Sequence, residues 1–191
     1  MTQEALNINK ETTALVLIDL QKGIVGREGK PLPTNEVVKN ASMLADAFRK
    51  NSMPVFLVHV NFTPGTALKV KSDSQMSGRG DIPADWADIV PEIGPKDGDV
   101  VITKRQWGAF YGTDLELQLR RRGIDTIVLG GIATTYGVES TARFAYEYGF
   151  NQIFPEDTMT DLSEEAHHNA INYVLKRIGR VRITEDILKE L

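Results

Sequence analysis

The sequence predicts an α/β protein of three layers, in which helices cover both faces of a central, mostly parallel sheet of six strands. Short apolar runs rich in β-branched residues recur along the chain, amphipathic helical patterns separate them, and glycine, proline and asparagine occupy the gaps. Strands that alternate with helices favour a parallel sheet, because each crossover returns the chain to the same edge. Ligands of such sheets bind beyond the carboxyl ends of the strands.

The six predicted strands are apolar runs bounded by turn residues. They span residues 14–20, 55–60, 100–103, 126–129, 152–154 and 181–184.

Four helices are predicted from apolar spacing and capping residues. The first carries apolar side chains on one face, at Val37, Ala41, Leu44 and Phe48. A capping-box sequence at residues 113–116 begins the second, which Gly123 ends. The third runs from about residue 138 to 148 and ends at Gly149. The fourth begins at Ser163 and carries small and apolar residues along one side, at Ala166, Ala170, Val174 and Ile178.

Length and charge limit the class of protein. A chain of 191 residues fits one core, so we predict a single domain over residues 1–191. The net charge of −4 offers no field for phosphate backbones or anionic lipids, so we expect a small-molecule substrate and neither nucleic acid nor membrane as partner. The apolar runs are far shorter than the roughly 20 residues of a membrane span, and a signal sequence is not evident, which predicts a cytoplasmic protein.

Residues 61–96 form the least regular stretch, with several glycines, prolines and serines. Such a stretch can act as a lid or as part of a contact between subunits. We expect a homo-oligomer of two or more copies.

Two charged residues stand at the predicted ends of strands. Asp19 ends the apolar run VLIDLQ at residues 16–21, and Lys104 opens the segment KRQWGAF at residues 104–110. Taken singly, Asp19 could cap a strand end and Lys104 could be a surface charge. The aromatic residues beside Lys104 and the shared edge of a parallel sheet instead favour a common site.

A third segment, GIATTYGVESTAR at residues 131–143, leaves the fourth strand through small residues and enters a helix. The backbone N–H groups of residues 135–137 would then point at an anion or oxyanion. The alternative is a tight turn that needs glycine only for its shape.

Together these three segments resemble the isochorismatase-like hydrolases, as does GRVRITED at residues 179–186. The resemblance covers nearly the whole chain and implies the same α/β fold. Cysteine-using members attack amides with an Asp–Lys–Cys triad, and Gly137 occupies the cysteine position here. Isochorismatases also lack that cysteine and hydrolyse a vinyl ether with the aspartate as proton donor. The resemblance therefore implies a catalytic set of Asp19, Lys104 and Gly137.

In this scheme Asp19 protonates the methylene carbon of an enol ether, and water captures the oxocarbenium ion without a covalent enzyme intermediate. Burial would favour the protonated acid and Lys104 would oppose it. Lys104 could instead orient Asp19 or neutralise a substrate carboxylate. The predicted substrate-binding residues are Gln21, Trp107, Phe110, Thr134, Thr135 and Tyr136. The resemblance also implies a cis peptide bond between Ile132 and Ala133.

The chain departs from the family at the substrate contacts. Isochorismatases carry a glutamine after the second strand, where this chain reads NFTPG from residue 61, and their anion-binding arginine has no clear counterpart. Gln75 or Arg79 in the irregular stretch could supply these contacts.

No cofactor and no metal is expected. The chain has no cysteine and only three histidines, and the Asp-x-His element of metal-binding relatives is absent after the second strand. His59 in an apolar strand is typical of a core residue, and neighbours on a helix such as His167 and His168 diverge too far to clamp one ion.

Two alternatives remain open. Asp19 could activate water for amide hydrolysis, or Thr134 or Thr135 could act as the nucleophile. The chain could also be a ligand-binding or scaffold member of the family that has lost catalysis.

Overall fold

The strands form where β-branched and apolar residues follow one another without a helical period, and most of their side chains are buried. The computed structural model describes residues 5–62, 68, 70–73 and 82–191. Within these ranges the strands are β1 Thr13–Ile18, β2 Val55–Val60, β3 Val100–Lys104, β4 Thr126–Ile132, β5 Asn151–Pro155, β6 Met159–Thr160 and β7 Arg180–Arg182.

All of the strand pairs are parallel, and the sheet has the order β3-β2-β1-β4-β5-β7, with β6 paired to the end of β4. The chain runs outward from β1 through β2 to β3 and then returns to place β4 on the other side of β1. The order therefore reverses between β1 and β4. In open parallel sheets, the crevice at the carboxyl ends of such a strand pair is the usual ligand site.

Seven α-helices surround this sheet in the described part of the chain: α1 Lys22–Val25, α2 Thr34–Lys50, α3 Leu115–Arg121, α4 Glu139–Glu147, α5 Glu164–Asn169, α6 Lys176–Ile178 and α7 Thr184–Leu188. Wide π-type turns at Thr134–Val138 and Ala170–Leu175 run directly into α4 and α6. None of the helices described has the length and apolar content to cross a bilayer.

The two faces of the sheet carry separate hydrophobic clusters, which makes the three layers. Alternate residues of β1 serve the two faces, since side chains of a strand point to opposite sides. Ala14, Val16 and Ile18 pack with α3, α4 and the Ala170–Leu175 turn. Leu15 and Leu17 pack with α2 and α7. The predicted three-layer α/β/α architecture is thus confirmed, with helices on both faces of one sheet.

All six predicted strands are present, but the sheet has seven strands rather than six. The additional strand is β6, which pairs Met159 with Gly131 and Thr160 with Ile132. Two residues are too short to show any period in the sequence, so this strand depends on its partner alone.

The predicted helices are present, with two local differences. The Thr113 hydroxyl donates to Ala109 O and accepts from Leu115 N, so α3 begins without the full capping box. Ser163 caps α5 as predicted, by accepting from Ala166 N. The helical segment over residues 164–178 turns its predicted face toward the core, since Ala170 is buried and Val174 and Ile178 pack against the core, but the π-type turn adds a residue to the period and shifts the most buried positions. Its fully buried residues are His167, Ala170, Ile171 and Leu175.

Part of the irregular stretch packs over the start of α1. Gln21 forms an antiparallel bridge with Ile89, and the Lys22 and Gly23 N–H groups donate to Asp88 O and Trp86 O. Gln75 and Arg79 lie outside the described residues. The predicted roles of residues 61–96 and the single domain over residues 1–191 stay predictions.

Gly131 fixes the closest approach of β1 and β4. Its φ of 127° lies in the region that favours glycine, and a Cβ there would lie 2.1 Å from Ile18 O and 2.6 Å from Ile18 N. Both contacts are with the backbone of the neighbouring strand, which cannot rotate away as a side chain can. The junction between β1 and β4 therefore requires glycine.

We predict that Gly131→Ala lowers the free energy of unfolding by more than about 3 kcal/mol, because β1 would have to move in a close-packed core. Gly98 is the matched control, since its φ is 91° and a Cβ there meets nothing within 4 Å. Gly98→Ala should cost only about 1 kcal/mol, from the backbone conformation alone. Urea denaturation measures both values, and equal costs would contradict the close contact.

Candidate active site

Asp19 directly follows β1 and turns its side chain out of the strand direction. Its φ of 54° is uncommon for a residue with a side chain, and its N–H still donates to Val58 O at 2.8 Å. The side chain is 8% exposed. Burial raises the pKa of the Asp19 carboxyl from 3.8 to about 6, against the opposing attraction of Lys104. Asp19 is therefore a carboxyl group that keeps its proton to an unusually high pH.

Lys104 is the last residue of β3 and reaches across the end of β2 to Asp19. Its Nζ lies 2.7 Å from Asp19 Oδ2, and the side chain is 2% exposed. The same ammonium donates to Gln106 O at 3.2 Å. The structure therefore brings together the two charged residues that the sequence placed at separate strand ends.

The other oxygen of the Asp19 carboxyl group has no hydrogen-bond partner among the described residues. Asp19 Oδ1 is buried and makes no hydrogen bond to the described residues. A buried polar atom without a partner costs about 1–3 kcal/mol, so such atoms usually have a functional reason. Asp19 thus has one oxygen held by Lys104 and one buried oxygen that can carry a proton.

Gly137 lies beside this pair, in the π-type turn that follows β4. A Cβ built on Gly137 would lie 3.2 Å from Asp19 Oδ2 and 3.6 Å from Lys104 Nζ. It would also lie 2.8 Å from the γ2 methyl of Ile18. The φ of Gly137 is outside the left-handed region, so these contacts and not the backbone conformation favour glycine here. A side chain at this position would therefore crowd Ile18 and Asp19, and the three predicted catalytic residues lie together.

Thr141 connects the two segments that border the site. Its hydroxyl donates to Gly137 O at 2.6 Å and accepts from Ala109 N at 3.0 Å. Thr141 is fully buried. Sequence reasoning assigned no role to this residue, although it stands four positions after Gly137 and one helical turn brings such residues together.

Thr134 and Thr135 lie at the start of the turn, next to a cis peptide bond between Ile132 and Ala133. The Thr134 hydroxyl donates to Thr160 O and contacts His167 Nδ1 at 2.8 Å, and its side chain is fully buried. The Thr135 N–H and hydroxyl both donate to Asp161 Oδ2, each at 2.7 Å. Asp161 and His167 were missed because both follow β5 and carry no motif of their own.

These bonds correct the prediction that the N–H groups of residues 135–137 form an open anion site. The Thr135 N–H already has the Asp161 carboxylate, and the Tyr136 N–H donates to Ala133 O at 3.1 Å. An internal anion thus occupies the start of the turn. Of the three predicted donors, the Gly137 N–H is the one that remains a candidate to contact a ligand.

Trp107 and Tyr136 form an edge-to-face pair beside the Lys104 and Gly137 segments. Their ring centroids are 4.8 Å apart with an interplanar angle of 86°. Trp107 is 58% exposed and Tyr136 is 41% exposed. Two exposed aromatic rings next to a buried polar pair are suited to contact the apolar part of a ligand.

The structure does not bring two predicted substrate contacts to this site. The Gln21 amide is fully buried and bonds to Val60 N, Val60 O and Trp86 O, so it joins the ends of β1 and β2. Phe110 packs on Phe150, which precedes β5 at the amino-terminal edge of the sheet. Its ring therefore points away from Asp19, because a residue's place in a motif does not fix its side-chain direction.

The histidines do not converge in the structure. His59 is half-buried, and both of its ring nitrogens have partners, Nδ1 with Ala87 O and Nε2 with Thr103 Oγ1, each at 2.7 Å. His167 is buried, whereas the side chain of His168 is 53% exposed. In the described ranges no three histidine, aspartate or glutamate side chains form a group suited to a metal ion. The expectation of a metal-free, cofactor-free protein stays a prediction.

Comparison with known proteins identifies the family. The isochorismatase domain family matches residues 13–186. The isochorismatase family protein YwoC of Bacillus subtilis is 53% identical over 188 residues, with 97% of both chains covered. YecD of Escherichia coli O157:H7, also an isochorismatase family protein, is 52% identical over 97% of this chain and 100% of its own. The solved structure of an isochorismatase family protein from Burkholderia thailandensis has a TM-score of 0.91 at 44% identity and covers 96% of this chain and 97% of that one. This chain, with an aspartate, a lysine and a glycine at the three strand ends, belongs to the isochorismatase family of hydrolases.

Proposed function

We propose that this chain hydrolyses a small carboxylated molecule with Asp19 as general acid and without a covalent enzyme intermediate. The most concrete form of this reaction is the hydrolysis of a vinyl ether. The observation that carries the proposal is the buried Asp19 carboxyl, which has one oxygen free of hydrogen bonds and lies beside a residue without a side chain.

The proton goes from Asp19 to the methylene carbon of the enol ether, which leaves an oxocarbenium ion at the neighbouring carbon. Water adds to that carbon, the hemiketal collapses, and the ether oxygen leaves as an alcohol while a keto acid forms. The proton that water releases restores the acid. With a pKa of about 6, roughly a tenth of the molecules hold this proton at pH 7.

The other residues of the site would hold the acid and the substrate. Lys104 fixes Asp19 Oδ2 and so directs the proton to Oδ1. The Gly137 N–H would contact the substrate carboxylate or an oxyanion. Trp107 and Tyr136 would pack on the apolar part of the substrate.

Amide hydrolysis is the second candidate, and one contact supports it. Thr135 is half-buried, and its hydroxyl donates to the Asp161 carboxylate at 2.7 Å, as a nucleophile donates to its base. Thr134 is the weaker nucleophile candidate, because its side chain is fully buried and its hydroxyl donates to Thr160 O. The products distinguish the reactions, since an amide releases an amine or ammonia and a vinyl ether releases a keto acid. A cytoplasmic location and a homo-oligomer also stay predictions.

We predict that Asp19→Asn reduces turnover by at least about 100-fold, because the amide has no acidic proton to transfer. Keto acid release from carboxylated vinyl ethers, isochorismate among them, measures this loss. Asp99→Asn is the matched control, since Asp99 is also a buried aspartate in an ion pair, with Arg49 at 2.7 Å, but lies before β3. This control should keep turnover within a few-fold. Unchanged turnover of Asp19→Asn would remove Asp19 from the mechanism.

The raised pKa of Asp19 predicts a pH dependence of stability that needs no substrate. The folded protein holds this proton up to about pH 6 and the unfolded chain only up to about pH 3.8. Protonation therefore stabilises the folded state below that range, and this stabilisation is lost as the pH rises from about 4 to 6. Relative to Asp19→Asn, the wild-type chain should lose about 3 kcal/mol over this range. Urea denaturation of both proteins at several pH values gives the difference. A constant difference would mean that folding leaves the pKa of Asp19 at its ordinary value.

The position of Gly137 beside Asp19 and Lys104 predicts a reactive thiol in Gly137→Cys. Lys104 would stabilise the thiolate and Asp19 would accept the thiol proton. We expect iodoacetamide to modify this thiol at least about ten-fold faster than the thiol of Lys39→Cys on the exposed face of α2. Asp19→Asn in the Gly137→Cys background should abolish the excess rate.

The Ile18 γ2 methyl determines whether that variant folds, since it lies 2.8 Å from the Cβ position. Ile18→Leu removes the branch at Cβ and should restore the stability that Gly137→Cys loses. A folded Gly137→Cys protein with a slow thiol, or one that reacts equally fast without Asp19, would contradict the catalytic arrangement.

A further inference from the structure

We propose that Asp161 is a positioning residue of the active site, whose carboxylate holds the turn after β4 against Asp19. The inference rests on the proposed function only in taking this site as the catalytic one. In the reaction with Asp19 as general acid, Asp161 does not contact the reacting groups and acts through the Thr134–Val138 turn.

The carboxylate of Asp161 holds two backbone N–H groups and one side-chain hydroxyl. Oδ2 accepts from Thr135 N and Thr135 Oγ1, and Oδ1 accepts from Leu162 N, each at 2.7 Å. The residue is 2% exposed. Hydrogen bonds to a buried carboxylate are stronger than neutral ones, so this single side chain strongly restrains the start of the turn.

The backbone of Asp161 is held from the opposite side. Lys30 N donates to Asp161 O at 2.8 Å, and Asp161 N donates to Lys30 O at 2.9 Å. The adjacent Thr160 hydroxyl donates to Leu32 O at 2.6 Å. Residues 30–32 belong to the connection that begins at Asp19 and leads to α2. Asp161 therefore joins the segment after β1, which carries Asp19, to the turn after β4, which carries Gly137.

A neighbouring pair of contacts supports the same turn. Thr134 Oγ1 donates to Thr160 O at 3.1 Å and lies 2.8 Å from His167 Nδ1. At the far end of the turn, the Gly137 carbonyl accepts from Thr141. Only Tyr136 separates Thr135 from Gly137, so a movement at Thr135 would reach Gly137 directly. Water would then enter above Asp19.

The pKa of Asp19 is the quantity to measure, because it depends on the exclusion of water from the surroundings of the Asp19 carboxyl. The free energy of unfolding does not show which part of the protein a variant has changed. Carbon-13 NMR of the Asp19 carboxyl, assigned with Asp19→Asn, follows its titration without any substrate. Asp161→Ala removes both the charge and the acceptor. Asp161→Asn removes the charge but keeps an oxygen that can accept from both Thr135 groups.

Asp157 provides a matched control. Its Oδ1 accepts from Thr184 N at 2.7 Å and from Thr184 Oγ1 at 2.8 Å, which is the same pair of bonds at the start of α7. Asp157→Ala should therefore destabilise the protein to a similar degree as Asp161→Ala. It should leave the pKa of Asp19 unchanged.

We expect the pKa of Asp19 to fall by about one pH unit in Asp161→Ala and to stay near its wild-type value in Asp161→Asn. An equal fall in both variants would overturn the inference, because a direct effect of charge would then explain it. No fall in Asp161→Ala would also overturn it. If Asp161→Ala does not fold, Thr135→Val replaces it, since this change keeps the charge and removes one of the bonds, and a smaller fall is expected. An ordinary pKa of Asp19 in the wild-type chain would instead contradict the proposed acid and leave the hydrogen bonds of Asp161 intact.

Discussion

The arrangement of this site depends on a buried ion pair, Asp19 with Lys104, whose two charges are almost entirely removed from water. Removing a charge from water costs several kcal/mol, and attraction at 2.7 Å offsets this cost only in part. For Asp19 the cost of burial exceeds the attraction, so its pKa rises although a cation touches it. The pair thus holds an acid in place and still lets it carry a proton.

The asymmetry of the carboxyl group gives this pair its chemical direction. Lys104 contacts Oδ2, which leaves Oδ1 without a partner among the described residues. A lone buried carboxyl would be free to rotate, and a fully bonded one would have nothing to offer a substrate. The carboxyl group has one oxygen held by Lys104 and one without a partner, which is the arrangement that the proposed proton donor needs.

The glycine at position 137 is part of the same arrangement, since any side chain there would meet both Asp19 and the Ile18 methyl. In relatives with a cysteine, this position supplies the nucleophile. Here the glycine keeps the position beside Asp19 and Lys104 free of a side chain. The segments around it are held by Thr141 on one side and Asp161 on the other. The position of one glycine therefore depends on residues that follow two different strands, β4 and β6.

The sequence alone determined six of the seven strands, the layers and the three residues at the strand ends. Strand positions follow from local apolar runs, and the carboxyl ends of parallel strands share one edge, so Asp19, Lys104 and Gly137 could be placed together without coordinates. Only the tertiary structure decided which neighbours serve the site. The Gln21 amide bonds to the end of β2, and Phe110 points toward the other edge of the sheet. The Asp161 carboxylate accepts from Thr135 N, one of the N–H groups that were expected to bind an external anion. Each of these outcomes depends on contacts between segments far apart in the chain. The spacing of apolar residues in the sequence does not predict such contacts, because a side chain's direction and partners are determined only when the helices and strands pack.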